Sequence, residues 1–369
     1  MQDDLAARYI SERPLNYIVD WESTLSQARD WLTACVNRYP THARCSPEWQ
    51  VGRRYSDFVP TRLVEVKRHI DGNLWTRIVQ YDPQQQGNSG KIEWACLSYC
   101  WGGDQVTKTT RANLAARRTV LSFADLPQTL KDALHVTYRL NLQFIWIDAL
   151  CIDQDDPDDV SHEIAAMPDI YKGGICTITA SRASGSKEGF MQDHEVEAIH
   201  HEPICINVAC PNGQPGHVNL GPRGAEYRNA PDPIHKRAWC FQERILSTRV
   251  LDFGYTQTRW TCLSGSYVDG GNAELAARTD PRIGRSLQTL TRERLLETWQ
   301  DLVDSYTKRD LTFTGDKLLA ISAIASEFAP HMRSDYLAGL WRHSLPHSLD
   351  WRSGRYKYSR PSFYVAPSW

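Results

Sequence analysis

Lysine and methionine are scarce in this chain, with 10 Lys against 32 Arg and only 4 Met in 369 residues. Long apolar runs are missing too. The longest buried-looking run, Leu142–Ile147, stops at Asp148, far short of the ~18 residues a membrane-crossing helix needs. No membrane partner is expected. The net charge is −2, so the basic footprint of a nucleic-acid binder is lacking as well. Met1–Tyr9 is polar and acidic, unlike a secretory leader. The 10 Cys are scattered irregularly, which predicts reduced thiols in a cytoplasmic protein rather than a disulfide framework. There is no nucleophile elbow, no phosphate-binding loop, no His-Glu-x-x-His pair and no dinucleotide glycine fingerprint.

What is present argues for a folded protein. The 13 Trp and 16 Tyr need burial, and 41% hydrophobic with 23% charged residues is ordinary for a globular chain. The length suits two domains, or one with a large elaboration. The arginine excess fits internal ion pairs, an anionic ligand, or a compositional habit of the genome.

Trp21, Leu25, Ala28, Trp31 and Leu32 recur near a 3.6-residue period and predict a helix over 21–36 within a helical N-terminal extension, 1–59. Cys35, His42 and Cys45 follow it. They offer three zinc-type ligands, but a fourth is not evident and the first gap is long for a zinc knuckle. Two buried thiols and a surface histidine are expected, with no metal site. Residues 60–81 alternate as a hairpin turning at Asp71-Gly72-Asn73, with a polar loop over Gln84–Gly90. From 93 to 180 strands and helices alternate: Trp94–Tyr99, a helix opened by Pro127, the strand Leu142–Ile147, a helix from about Asp158 to Tyr171, and the strand Ile175–Ala180. That order predicts an α/β fold with a parallel sheet and helices on both faces. Pro168 should kink or end the second helix early. After 200 come β-like pieces at Ile204–Val208, Val250–Phe253 and Arg259–Cys262, then helix over 284–330. Trp239 and Phe241 alternate with polar residues and predict a strand end or packed loop.

Ligands of open parallel sheets sit beyond the strands' carboxyl ends. The first core strand brings Ser98, Tyr99, Trp101 and Gly102 to that edge. The second brings Asp148, Cys151, Asp153 and Gln154, and the next helix starts with His162 and Glu163. Such a polar, aromatic-lined cleft is a candidate site. Each residue also has a plain structural use: Asp148 as a turn cap, Glu163 favouring the helix dipole, Trp101 as packing. Cys151 as a nucleophile needs a base, for which His162 is the neighbour to hand.

Four ordered blocks resemble the fungal heterokaryon incompatibility (HET) domain: Leu97-Ser98-Tyr99-Cys100-Trp101-Gly102; Leu126-Pro127-Gln128-Thr129 with Asp132-Ala133; Trp146-Ile147-Asp148-Ala149-Leu150-Cys151-Ile152-Asp153-Gln154-Asp155; and Glu163 with Met167, Ile170 and Tyr171. Outlying segments, Pro60-Thr61-Arg62-Leu63 and Arg237-Ala238-Trp239 with Gln242-Glu243, resemble further blocks of the family. Val160 stands where relatives usually carry Trp. The resemblance implies a HET domain over 60–200 around the 93–180 core, and a mixed β/helical elaboration over 201–369. It implies a cytoplasmic fungal protein of regulated cell death. The family is distantly similar to TIR domains, which implies a TIR- or flavodoxin-like core and a nucleotide ligand, with NAD as a substrate rather than a cofactor. By that analogy Glu163 is the catalytic carboxylate, with Asp148 beside it. Ser98, Tyr99, Trp101, Gly102, Cys151, Asp153, Gln154 and His162 would line the ligand. One carboxylate suffices to stabilise the ribosyl cation left when nicotinamide departs. Two alternatives stand beside this one: a non-catalytic recognition module that works through protein partners or homo-oligomers, and an enzyme of different chemistry using Asp148, Glu163, His162 and Cys151.

Overall fold

Leu25, Ala28, Leu32 and Cys35 are buried at spacings of three and four along one face of a helix, α1 (Trp21–Val36), as the period predicts. Asp20 caps it, its carboxylate accepting from the Glu22 N–H. The structure, a computed structural model, describes residues 4–9, 20–37, 42, 45, 58–69, 72–81, 92–192, 204–211, 213–220, 232–255, 257–270, 287 and 290–349. The expected loop Gln84–Gly90, and Asp71 of the hairpin turn, lie outside the described residues.

Residues 1–234 with 248–279 form one compact unit, and 235–247 with 280–369 a second. The first is built on an eight-stranded mixed sheet. Its hairpin, β1 (Arg62–Arg68) and β2 (Leu74–Gln80), pairs from Arg62 opposite Gln80 to Arg68 opposite Leu74. Next come β3 (Trp94–Ser98), α2 (Arg111–Thr119), α3 (Gln128–Arg139), β4 (Phe144–Trp146), the one-turn α4 (Asp148–Cys151), α5 (Pro157–Gly173) and β5 (Cys176–Thr179). A separate two-stranded sheet, β6 (Ile204–Ala209) with β7 (Pro215–Leu220), precedes β8 (Arg249–Phe253), β9 (Thr258–Cys262) and β10 (Gly265–Val268). The sheet order is β10-β9-β8-β5-β3-β4-β1-β2. β4, β3, β5 and β8 run parallel, and the strands outside them are antiparallel. The expected parallel α/β core is therefore present. All residues of β3 and β5 are buried, as fits strands covered on both faces.

Two local expectations are corrected. The strand expected over 142–147 is cut to three residues. The Leu150 and Cys151 N–H groups both turn back to the Ile147 carbonyl, starting α4 at once. And α5 does not end early at Pro168 but runs on to Gly173. Packing outweighs the bond lost at the proline. Ile170 and Tyr171 are buried, and the Ile170 carbonyl accepts from the Trp94 indole, the Cys96 thiol and the Gly174 N–H.

The second unit is helical: α6 (Ala238–Leu246), α7 (Arg292–Thr307), α8 (Leu319–Met332), the short pair β11 (Tyr336–Leu337) and β12 (Leu340–Trp341), and α9 (Leu345–Ser348). Residues 238–246 are thus helix, not the expected strand end or loop. Eight of the nine are buried, so the apolar–polar alternation carried no signal. Trp299 packs edge-on against Phe328, Tyr336 and Trp341 at the centre of this core.

Candidate functional site

The carboxyl edge of the parallel strands is tied together by its own motif residues. The Trp101 indole N–H donates to Asp148 Oδ2 at 2.8 Å, and Asp148 Oδ1 accepts from the Ala149 N–H. The Gln154 amide donates to the Asp148 carbonyl. Gly102 lies in the left-handed region at φ +71, and a Cβ there would meet the Gly185 Cα at 2.6 Å. Glycine is needed on both counts. The Ser186 N–H and the Gln105 amide donate to the Trp101 carbonyl and complete this back-to-back contact. The Thr129 and Asp132 side chains of α3 secure the same 185–191 segment. Thr129 donates to the Gly185 carbonyl, and Asp132 accepts from the Phe190 and Met191 N–H groups.

Glu163 sits elsewhere in character: it is buried, on the first half of α5. Its carboxylate faces the Arg62 guanidinium of β1 at 3.6 Å. Arg62 also pairs with Asp159 one turn earlier and donates to the Cys151 carbonyl at 2.5 Å. Asp159 in turn accepts from the Asp153 N–H. Burial raises the Glu163 carboxyl above its ordinary range, partly offset by Thr61 and Arg62.

The remaining expected site residues differ in their surroundings. Cys151 is fully buried, and burial pushes its thiol up to about 12, the reverse of an activated nucleophile. His162 is exposed, so adjacent positions on α5 face different surroundings. Asp153 is buried, and burial together with Asp155 raises its carboxyl. Ser98, Thr179 and Ser181 are buried, and their hydroxyls have no hydrogen-bond partner among the described residues. Ser98 and Thr179 are register partners on β3 and β5. Tyr99 is buried beside them.

Sequence reasoning missed Arg62, Asp159 and Gly185. Arg62 was quoted only as part of an outlying block, and nothing in its own neighbourhood marks it as the partner of α5. A polar cleft of about 390 Å³ was missed as well. It is lined by Arg29, Arg68, His135, Tyr138 and Arg139. Arg139 there is already engaged by both carboxylate oxygens of Glu22.

Among the described residues no helix is long and apolar enough to cross a membrane. No match was found among curated proteins or among solved structures. Residues 94–243, which hold the Trp101–Asp148 link, the α3 anchors and Glu163, match the family model described as Heterokaryon incompatibility protein (HET), and the chain therefore carries a HET domain over those residues.

Proposed function

We propose that the chain acts in heterokaryon incompatibility as a fungal cell-death protein, and that its HET domain works as a recognition module rather than by acid chemistry. The observation that supports this most is the burial of Glu163 against Arg62. A carboxylate meant to stabilise a ribosyl cation has to face the sugar. This one faces a guanidinium inside the fold, and Asp148 is spent on Trp101 and the start of α4. The test is purified full-length protein incubated with NAD at high protein concentration, with oligomeric state checked. No nicotinamide release is expected, while expression of the same protein in a fungal host triggers death. Release that is lost in Glu163→Gln, with the fold intact, would overturn the reading.

One observation favours the second reading, a nucleotide site of TIR type with NAD as ligand or substrate. Three buried hydroxyls, Ser98, Thr179 and Ser181, lack partners among the described residues at the very edge where parallel sheets bind ligands. A polar ligand there would satisfy them. Protection of the protein by NAD against thermal unfolding, abolished by Ser98→Ala with Thr179→Val, would support that site; no shift with saturating NAD would remove it.

A further inference from the structure

Cys35, His42 and Cys45 gain in three dimensions what they lack in sequence. Cys262, the last residue of β9, comes to meet them, and one ligand atom from each of the four lies within 4.8 Å of all the others. The His42 Nδ1 is 3.4 Å from the Cys262 sulfur and 4.0 Å from the Cys45 sulfur. Four ligands arranged tetrahedrally around zinc, at Zn–S about 2.3 Å and Zn–N about 2.0–2.1 Å, stand about 3.5–3.8 Å apart. All four residues are buried. His42 is therefore not the surface histidine its polar neighbourhood suggests; its ring packs on Tyr267 at 5.2 Å.

We propose that Cys35, His42, Cys45 and Cys262 form a structural zinc site. A disulfide among the thiols needs two sulfurs and no imidazole; it leaves one thiol over and gives the buried His42 nitrogen nothing to do. Zinc uses all four groups. The surroundings fit the charge. Three thiolates and a neutral imidazole around Zn²⁺ carry one net negative charge, the thiol protons leaving to solvent on binding. The Arg249 guanidinium balances that charge, donating through Nε to the Cys35 sulfur at 3.1 Å and through its other nitrogens to the Ile175 and Cys45 carbonyls. The Ser264 hydroxyl lies 3.4 Å from the Cys45 sulfur. Hydrogen bonds from outside the ligand set are what orients metal-bound sulfur. With four protein ligands the coordination is closed, which marks a structural rather than a catalytic site. Its work is topological: it fastens the chain after α1 to β9, joining residues 220 apart and closing a long loop.

The test uses the full-length chain purified under reducing conditions without chelator. Metal analysis should find about one zinc per chain, released by a mercurial thiol reagent. Exchange for cobalt should give the intense visible bands of a tetrahedral cobalt–thiolate centre. Cys262→Ser should lose the metal, whereas Cys205→Ser, at an exposed thiol, should keep it. Arg249→Gln should retain the site with affinity lowered about 10-fold or more. Should Cys262→Ser fail to fold, the wild-type cobalt spectrum decides alone. A chain offered zinc or cobalt that binds neither, or a thiol titration showing a disulfide among these cysteines, would overturn the proposal.

Discussion

Arg62 and Glu163 face each other at 3.6 Å, their side chains 5% and 1% exposed. They join the first strand of the hairpin to the helix that carries the HET signature's acidic residue. Asp159 shares the same guanidinium, so one cation answers two carboxylates. Removing one partner of a buried ion pair typically costs about 3–5 kcal/mol, because the other charge stays buried alone. Arg62→Ala should therefore destabilise the first unit by about that much in urea unfolding. Combined with Glu163→Gln, the loss should be clearly smaller than the sum of the single losses. An Arg62→Ala change within about 0.5 kcal/mol, the range of surface substitutions, would show that the pair does not hold α5.

The pH dependence follows from the same carboxyl. Its folded pKa is raised from 4.5, by burial first. A carboxyl that holds its proton more tightly in the folded chain stabilises the fold at low pH. This contribution declines as pH rises from about 4.5 through the raised folded value, and is flat above it. Glu163→Gln should lack that decline. The measurement is unfolding free energy against pH for wild type and variant; identical slopes in the acid range would show that Glu163 does not titrate upward.

Much of this architecture was legible because burial is periodic. The α1 face at Leu25, Ala28 and Leu32, the apolar run Trp94–Leu97 of β3 and the Pro127 start of α3 each leave a local pattern. The failures have equally local causes. Helix α2 has no buried residue and hence no apolar stripe; its Thr110–Asn113 capping box was its one signal. Helix α6 is buried nearly all round and so shows no period. The candidate site was legible only as a set of residues at one sheet edge. That Trp101 bonds Asp148 depends on β3 pairing with β4, and that Glu163 turns inward to Arg62 on β1 pairing with β4, contacts between distant segments that no local pattern encodes. Cys262 escaped notice for the same reason.

Gly102 and Gly185 make a prediction about the HET signature itself. An alanine at 102 has to hold φ +71 and place its Cβ 2.6 Å from a backbone carbon. Backbone strain of this kind costs about 1–3 kcal/mol before the clash is counted. Gly185→Ala meets the Gly102 Cα at a looser 3.2 Å and carries no positive φ. Thermal unfolding should rank Gly102→Ala well below Gly185→Ala. Equal melting temperatures would mean that the 102–185 contact gives way easily.

The Trp101–Asp148 hydrogen bond separates fold from function most directly. Trp101→Phe keeps an aromatic ring and removes the donor, leaving the Asp148 carboxylate with its Ala149 contact. A hydrogen bond to a charged group contributes about 1.5–3 kcal/mol. Both residues are half-buried, so water takes over part of the lost bond and the low end of that range is expected. Asp148→Asn keeps an oxygen for only one of its two donors, the indole or the Ala149 N–H, and turns an NH2 toward the other, so it should cost at least as much. If the motif serves the fold, as the recognition reading holds, the two variants should lose cell-death activity in proportion to their loss of stability. A stabilised background, or a lower assay temperature, should then restore activity to both. If instead Trp101→Phe stays folded and stable at the assay temperature yet loses all activity, the indole has a direct part in the function, and the carboxyl edge of the sheet becomes the surface to probe with ligands.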